Sequence, residues 1–436
     1  MDRFRYQDGV LHCEGVDLEA LAAEHGTPTY VYSRDTFRTH LADLTAAFAE
    51  LNPMVCYAVK TCSNLHLLHE LGSGGAGADV VSGGELHRAL TAGIPAERIV
   101  FAGVGKSEEE LRQAVAAGIA CVNIESESEL ELLARVAQSM GRTVRAAIRV
   151  NPDVQGHGTP EKTTTGTRGS KFGIDLERVP RLFARAAQLD HVRLIGVHVH
   201  LGSPIYSPEP YVVALTRVLE LVDKLRADGH GIELINMGGG FAAEYETGAA
   251  PGWGAYADAI GPVLAPFVAA GGKVVMEPGR SIAANAGVLL TRVRFIKDAG
   301  PHRVAIVDAG MNNLIRAALY DSFHFMWPVR PADALVPPGR SESVALPGLS
   351  SYDIAGPICE STDYLARERD LPSLAEGDLI CIFGAGAYGM AMASQYNSSL
   401  RPAEVLVDGA TSRLIRRRDT YADLIEAELG LPGGDF

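Results

Sequence analysis

Eight short apolar runs, at residues 54–60, 77–82, 98–103, 120–125, 145–151, 194–200, 234–240 and 273–278, return at near-regular intervals through the first two thirds of this chain. They are β-branched or apolar without clean alternation, which is how strands covered on both faces read. Helical patterns such as 108–115 and 211–225 separate them, and glycines at 93, 118 and 229 stand where such helices should stop. Eight strand–helix units in roughly 250 residues predict an α/β fold, a (β/α)8 barrel of the TIM type. An open doubly wound sheet allows the same alternation, but the count of eight and the length favour closure. The predicted barrel domain spans residues 34–285. Beyond it the helical rhythm stops, and 288–296, 303–307, 379–383 and 404–407 read as strands between turns. Residues 286–436 thus predict a second, β-rich domain, a sandwich or Greek-key-like barrel. The strand-like 29–32 has no place in the eightfold repeat, so residues 1–33 are assigned to the same domain. The Thr-, Gly- and Lys-rich stretch 151–173 reads as a loop that orders on assembly.

Barrels of this type carry their active sites at the carboxyl ends of the strands. The first run ends Tyr57-Ala58-Val59-Lys60, a charge closing a buried strand. The second holds Asp79 and Ser82, the fifth Arg149, and the sixth His198 and His200, followed by Ser203. The seventh ends Gly238-Gly239-Gly240 and the eighth Glu277-Pro278-Gly279-Arg280. A surface lysine, a tight glycine turn or a core histidine would each be ordinary alone; six strand ends of this kind on one face describe a site.

The chemistry suits pyridoxal 5'-phosphate. Lys60, desolvated and near cationic groups, would attack the aldehyde to give a Schiff base. Gly238, Gly239 and Gly240 would let backbone N–H groups approach the phosphate, with Gly279, Arg280 and Ser203 adding contacts. His200 would lie against the ring. Glu277 would face the ring nitrogen and keep it protonated, the electron sink that decarboxylation needs.

Other signals are weaker. Gly103-Val104-Gly105-Lys106-Ser107 resembles the tail of a P-loop but has Val100 where that pattern needs glycine. Gly384-Ala385-Gly386-Ala387-Tyr388-Gly389 matches G-x-G-x-x-G without a βαβ unit around it. The net charge of −14 argues against nucleic acid or an anionic membrane as partner. With no apolar run of about 20 residues and no signal peptide, a cytoplasmic protein is expected. The six cysteines are scattered with no C-x-x-C pair, so no disulfide framework and no metal site is expected.

Taken together, Tyr57-Ala58-Val59-Lys60, Asp79-Val80-Val81-Ser82-Gly83-Gly84-Glu85-Leu86, His200-Leu201-Gly202-Ser203, Gly238-Gly239-Gly240-Phe241, Glu277-Pro278-Gly279-Arg280 and Cys359-Glu360-Ser361 resemble the alanine-racemase-fold amino-acid decarboxylases, and within them the diaminopimelate decarboxylases. The likeness covers nearly the whole chain, in order. It implies that Lys60 carries the cofactor, with Asp79 nearby, His200 stacked on it and Glu277 at its nitrogen. Ser203, Gly240, Gly279, Arg280 and Tyr388 would surround the phosphate or the reacting carboxylate. It also implies a homodimer with shared active sites, in which Cys359, the proton donor, and Glu360 enter the second subunit's site. Lys171 and Asp363 would pair across that interface. The implied substrate is meso-2,6-diaminopimelate, with Glu360 taking its far ammonium and Arg316, Tyr320 and Arg280 its far carboxylate. Thr61-Cys62, Pro204, Asn313, Ala317 and Thr362 depart from the family pattern and bear on the substrate, leaving a decarboxylase for another basic amino acid or a related precursor as the rival. A racemase is disfavoured by Glu277. An inactive binding homologue is disfavoured by the joint presence of Lys60, Glu277 and Cys359.

Overall fold

The computed structural model describes residues 2–154, 165, 169–299, 302–429 and 431. The chain divides into two compact units: Arg38–Ala243 with Ala250–Ile282, and Met1–Phe37 with Glu244–Ala249 and Ala283–Phe436.

The first unit is a closed parallel barrel. Its strands are Met54–Ala58, Gly77–Val80, Ile99–Phe101, Cys121–Ile124, Val144–Asn151, Val192–His198, Leu234–Asn236 and Lys273–Met276. Each pairs in parallel with the next, and the eighth returns to the first through Val275↔Met54 and Met276↔Val55. All eight predicted strands are present. Several leave the ladder a few residues before their apolar runs end, because the chain there turns out of the barrel to present side chains. The interior is filled by a buried cluster of Cys56, Val100, Cys121, Ala147, Ile195, Leu234 and Val275, drawn from seven of the strands. These small and branched residues pack the barrel floor, so it holds no channel.

Helices wrap the barrel, and their starts explain several strand-end residues. Ser82, Ser107 and Ser126 accept the N–H groups of Glu85, Glu110 and Glu129, capping the helices Gly83–Thr91, Glu108–Ala117 and Glu127–Ser139. Ser82 is thus a helix cap, outside the site chemistry that its strand-end position suggested. Most of the 151–173 loop lies outside the described residues. Of what is described, Gly173 donates to Glu125 at 2.9 Å and Asn151 to the Phe172 carbonyl at 2.7 Å.

In the second unit, the long strand Gly287–Ala299 pairs antiparallel with Thr29–Ser33, His302–Val307 and Leu379–Ile382. Thr29–Ser33 also pairs in parallel with Ala403–Asp408, which turns back into Thr411–Arg416. The amino-terminal strand is thereby built into the carboxyl-terminal sheet. Strands Met326–Pro328, Ser350–Ala355 and Tyr364–Leu371 complete the sheet, and Phe4–Gln7, Val10–Cys13 and Val16–Asp17 form a small separate one. The G-x-G-x-x-G match follows strand Leu379–Ile382 in this unit and leads into a single 3-10 turn, Met390–Met392, so no dinucleotide fold surrounds it. Among the described residues, no helix is long and apolar enough to cross a membrane.

Candidate active site

The carboxyl ends of the barrel strands bring together Lys60, Asp79, His200, Ser203, Gly238, Gly239, Gly240, Glu277, Gly279 and Arg280. Lys60 sits in the 3-10 turn Val59–Thr61 immediately after the first strand. Thr61 fixes that turn, its hydroxyl donating 2.8 Å to the Ala58 carbonyl. The Lys60 ammonium lies 2.9 Å from Asp79 Oδ2, and its side chain keeps 32% of its exposure. The environment expected for this lysine needs correcting, because an anion rather than a cationic group stands against it. It is also only partly withdrawn from water, since the chain leaves the strand before reaching it. Asp79 is wholly buried, and its second oxygen, Oδ1, has no partner among the described residues. Burial, and next the charge of Glu277, push its carboxyl up, while Lys60 draws it down.

Glu277 follows the eighth strand and is 4% exposed. Three donors converge on its carboxylate: Asn236 at 2.6 Å and Asn123 at 3.4 Å on Oε1, and His198 Nε2 at 3.2 Å from Oε2. Burial acts to raise this carboxyl. The charge and hydrogen bond of His198, with Lys60 behind them, override it and hold the group down to about 2. Glu277 is therefore an anion kept deep in the barrel.

His200 accepts the Gly239 N–H at 3.2 Å through Nδ1, which fixes the tautomer and the plane of the ring. Burial, then the positive charges of Lys60 and Arg149, hold its imidazole well below the ordinary range, so it is neutral at pH 7. The Gly238 N–H donates to Asn236 Oδ1 at 2.9 Å. The triple glycine is dictated first by packing: a Cβ on Gly239 would lie 2.0 Å from the Glu277 carbonyl, and one on Gly240 would lie 2.2 Å from the Gly202 carbonyl. Of the three, only the Gly240 N–H is left without an acceptor among the described residues, and the Gly279 N–H is likewise open. Beside them Arg280 Nε donates 2.9 Å to Ser203 Oγ, and Arg280 is 8% exposed.

These residues fit pyridoxal phosphate. Two open N–H groups, a hydroxyl and a guanidinium suit a phosphate, and a lysine amine and a buried anion suit the carbonyl and the ring nitrogen. Sequence reading missed the two asparagines that hold Glu277. The signal was there, because Asn123 and Asn236 are amides inside buried apolar runs and buried polar groups need partners.

The other candidates belong to the β-rich unit. Arg316 and Tyr320 share the helical turn Arg316–Tyr320. Arg316 is 5% exposed, packs over the Tyr245 ring, and meets His324 Nε2 at 2.9 Å and Ser322 Oγ at 3.3 Å; its Nε has no partner among the described residues. Cys359 and Glu360 are exposed in the loop before strand Tyr364–Leu371. The Cys359 N–H donates to Asn397 Oδ1 at 2.9 Å, and Glu360 accepts the Tyr396 hydroxyl. Tyr388 adopts φ of +56°, unusual for a bulky side chain. Asp363 departs from the interface ion pair that the resemblance implied. It is 2% exposed and its two oxygens accept the N–H groups of Met311 and Ile358, both at 2.6 Å, which organises its own loop. Lys106, the lysine of the P-loop-like stretch, is buried and donates to Gly103 O, Asn123 O and Glu129 Oε1 at 2.8, 2.7 and 2.6 Å.

A closed parallel barrel with a strand-end lysine, a buried carboxylate and glycine-rich strand ends defines a class, the pyridoxal-dependent decarboxylases, whose pyridoxal binding domain matches residues 34–284. Diaminopimelate decarboxylase of Pseudomonas aeruginosa is 46% identical over 99% of this chain and 100% of its own length. That of Aquifex aeolicus is 42% identical over 98% and 97%. The crystal structure of the M. jannaschii diaminopimelate decarboxylase in co-complex with L-lysine superposes with a TM-score of 0.91 at 34% identity, covering 99% of this chain and 98% of that one. The chain belongs to the diaminopimelate decarboxylase family.

Proposed function

We propose that the protein removes CO2 from meso-2,6-diaminopimelate to give L-lysine, using pyridoxal 5'-phosphate held on Lys60. The observation that carries this reading is the arrangement at the barrel mouth. Lys60 lies 2.9 Å from Asp79, while Glu277 is buried and ionised under three donors. When bound, pyridoxal phosphate supplies a protonated ring that accepts the electron pair left as CO2 departs. The chain's own residues do the rest. Lys60 would hold the cofactor by its amine, the place that the substrate's amine would take. Asp79 takes up the freed ammonium. Glu277 keeps a proton on the ring nitrogen, and His200, neutral and fixed by Gly239, lies against the ring. Ser203, Gly240, Gly279 and Arg280 bind the phosphate, with Gly238 and Gly239 shaping the turn and Tyr388 assisting. Cys359 then delivers a proton to the carbon that lost CO2.

The substrate's far end carries an ammonium and a carboxylate. Glu360 suits the first. For the second, the Nε side of Arg316 is the open edge, because Nη1 already meets His324; the carboxylate would share Nη2 with Ser322, whose bond is long at 3.3 Å. Tyr320 and Arg280 would assist. The relatives named above, full-length and at 42–46% identity, support this substrate over another basic amino acid.

The proposed setting is a cytoplasmic homodimer, each protomer giving Cys359 and Glu360 to the other's site. The domain that binds the cofactor is assigned to residues 34–285, and the β-rich domain that contributes to the dimer site to residues 1–33 and 286–436. The test is CO2 release by the purified, cofactor-loaded protein from a panel of amino acids. Diaminopimelate should exceed lysine and ornithine by at least about thirtyfold in kcat/KM. Equal turnover of lysine or ornithine would overturn the substrate and leave the reaction standing.

A further inference from the structure

Two histidines stand at the end of the sixth barrel strand, and the proposed function gives a place against the cofactor only to the second, His200. His198 is 1% exposed, and its Nε2 lies 3.2 Å from Glu277 Oε2. Its Nδ1 is buried with no partner among the described residues, so the proton with a use on this ring is the one at Nε2. The other Glu277 oxygen is taken by the two amides, Asn236 at 2.6 Å and Asn123 at 3.4 Å. Asn236 is itself anchored by the Gly238 N–H, so its amide is fixed at both ends. Among the described residues, His198 is thus the only protein donor to Oε2.

We propose that His198 is the positioning residue for Glu277: by donating Nε2–H to Oε2 it keeps the carboxylate ionised and fixes the direction in which it faces the cofactor's ring nitrogen. The inference deepens the reading of Glu277 given above and rests on it.

The surroundings show why one donor should matter. Burial is the largest influence on the Glu277 carboxyl and acts to raise it, and the acidic Asp79 lies within its field. Against that stand His198 first, then Lys60. The thiols Cys56 and Cys121, on the first and fourth strands, also feel the Glu277 charge. Glu125, after the fourth strand, feels His198. Lys60 is tied to Asp79 and His200 to Gly239, so neither replaces a lost donor on Oε2. Without His198, burial dominates and the carboxyl moves up toward the working pH range.

Two variants separate the hydrogen bond from mere bulk. His198→Gln places an amide N–H near the position of Nε2, while His198→Leu fills the space without a donor. In the cofactor-loaded holoenzyme, the visible absorbance is titrated against pH, cofactor affinity is measured by fluorescence, kcat and KM are determined, and thermal unfolding confirms that each variant is folded. For His198→Leu, the acid limb of the absorbance titration should move up by at least one pH unit. Its cofactor affinity should fall about tenfold and kcat at least tenfold, with KM for diaminopimelate within about threefold. His198→Gln should restore affinity and kcat to within about threefold of the wild type. Glu277→Gln is run alongside to test the reading beneath the proposal. If Glu277→Gln leaves the titration unmoved, the role given to Glu277 fails and this inference with it. If Glu277→Gln moves it but His198→Leu does not, or if the Leu and Gln variants fall alike in a folded protein, the role given to His198 alone is wrong.

Discussion

Lys60 and Lys106, beyond the carboxyl ends of two barrel strands, have surroundings that differ in a way that separates chemistry from structure. Lys106, after the third strand, is enclosed: its side chain is 1% exposed and its ammonium donates to two carbonyls and to Glu129. An ammonium has three N–H donors, and here each has an acceptor. Lys60, after the first strand, keeps about a third of its exposure and meets a carboxylate that is itself wholly buried, with one oxygen left open. Burial alone therefore does not make a lysine reactive. Lys106 is the more deeply buried of the two, and its matched donors make it a strut between neighbouring strand ends. Lys60 stands where a ligand can reach it.

The contrast can be broken in several ways. The largest effect is expected for Lys60→Ala and Cys359→Ala, each nearly inactive alone. Mixed and allowed to exchange subunits, they should regain up to about a quarter of wild-type activity, since a heterodimer keeps one intact site. Absence of recovery despite proven exchange would place Cys359 in its own protomer's site. Next, Lys106→Met leaves the Glu129 carboxylate buried and unpaired and should cost about 3–5 kcal/mol in urea unfolding, with the cofactor still bound. A stable but cofactor-free Lys106→Met protein would overturn the division of roles. A third buried cation sharpens the point, because Arg316 has two nitrogens matched and one open. Arg316→Ala should lower kcat/KM for diaminopimelate by roughly thirtyfold or more, equivalent to about 2–5 kcal/mol, without loss of cofactor.

The smallest effect concerns Glu85, which receives the Val81 N–H at 2.9 Å beside the second strand's end. Burial pushes its carboxyl up to about 7, with Asp79 adding to the rise and the Val81 N–H and Lys60 opposing it. The folded form thus holds a proton that the unfolded chain has released above about 4.5. Between about pH 4.5 and 7 the folded state binds more protons, so this group's contribution to stability falls as pH rises across that window. The loss should be about 1–3 kcal/mol, discounted for partial exposure, and Glu85→Gln should flatten it in urea titrations at several pH values.

Much of this was legible from the sequence, for physical reasons that also explain the rest. The barrel strands announced themselves because strands covered on both faces are continuously apolar. The strand-end motifs stood out because charges and glycines at the ends of such runs need a reason. The strand Ser350–Ala355 and the edge strand Tyr364–Leu371 beside it were not read. They interleave exposed and buried residues, including charges such as Glu368 and Asp370, so no apolar run marks them. Ser82 looked like a site residue because a helix cap after a strand and a reactive hydroxyl share one position in the sequence. Asn123 and Asn236 escaped notice because their shared partner, Glu277, is distant from them in the chain. Lys60 and Asp79 were both found, but their direct ion pair was not anticipated. Sequence order shows which residues close a strand and not which charge its neighbour presents.

The central claim is that Lys60, and no other lysine, holds the cofactor. Cofactor-loaded protein reduced with borohydride, digested and mapped by mass spectrometry tests it directly. The account predicts one modified peptide, carrying the cofactor on Lys60, with Lys106 and Lys171 unmodified. A cofactor mass on Lys106 or Lys171, with Lys60 free, would contradict it.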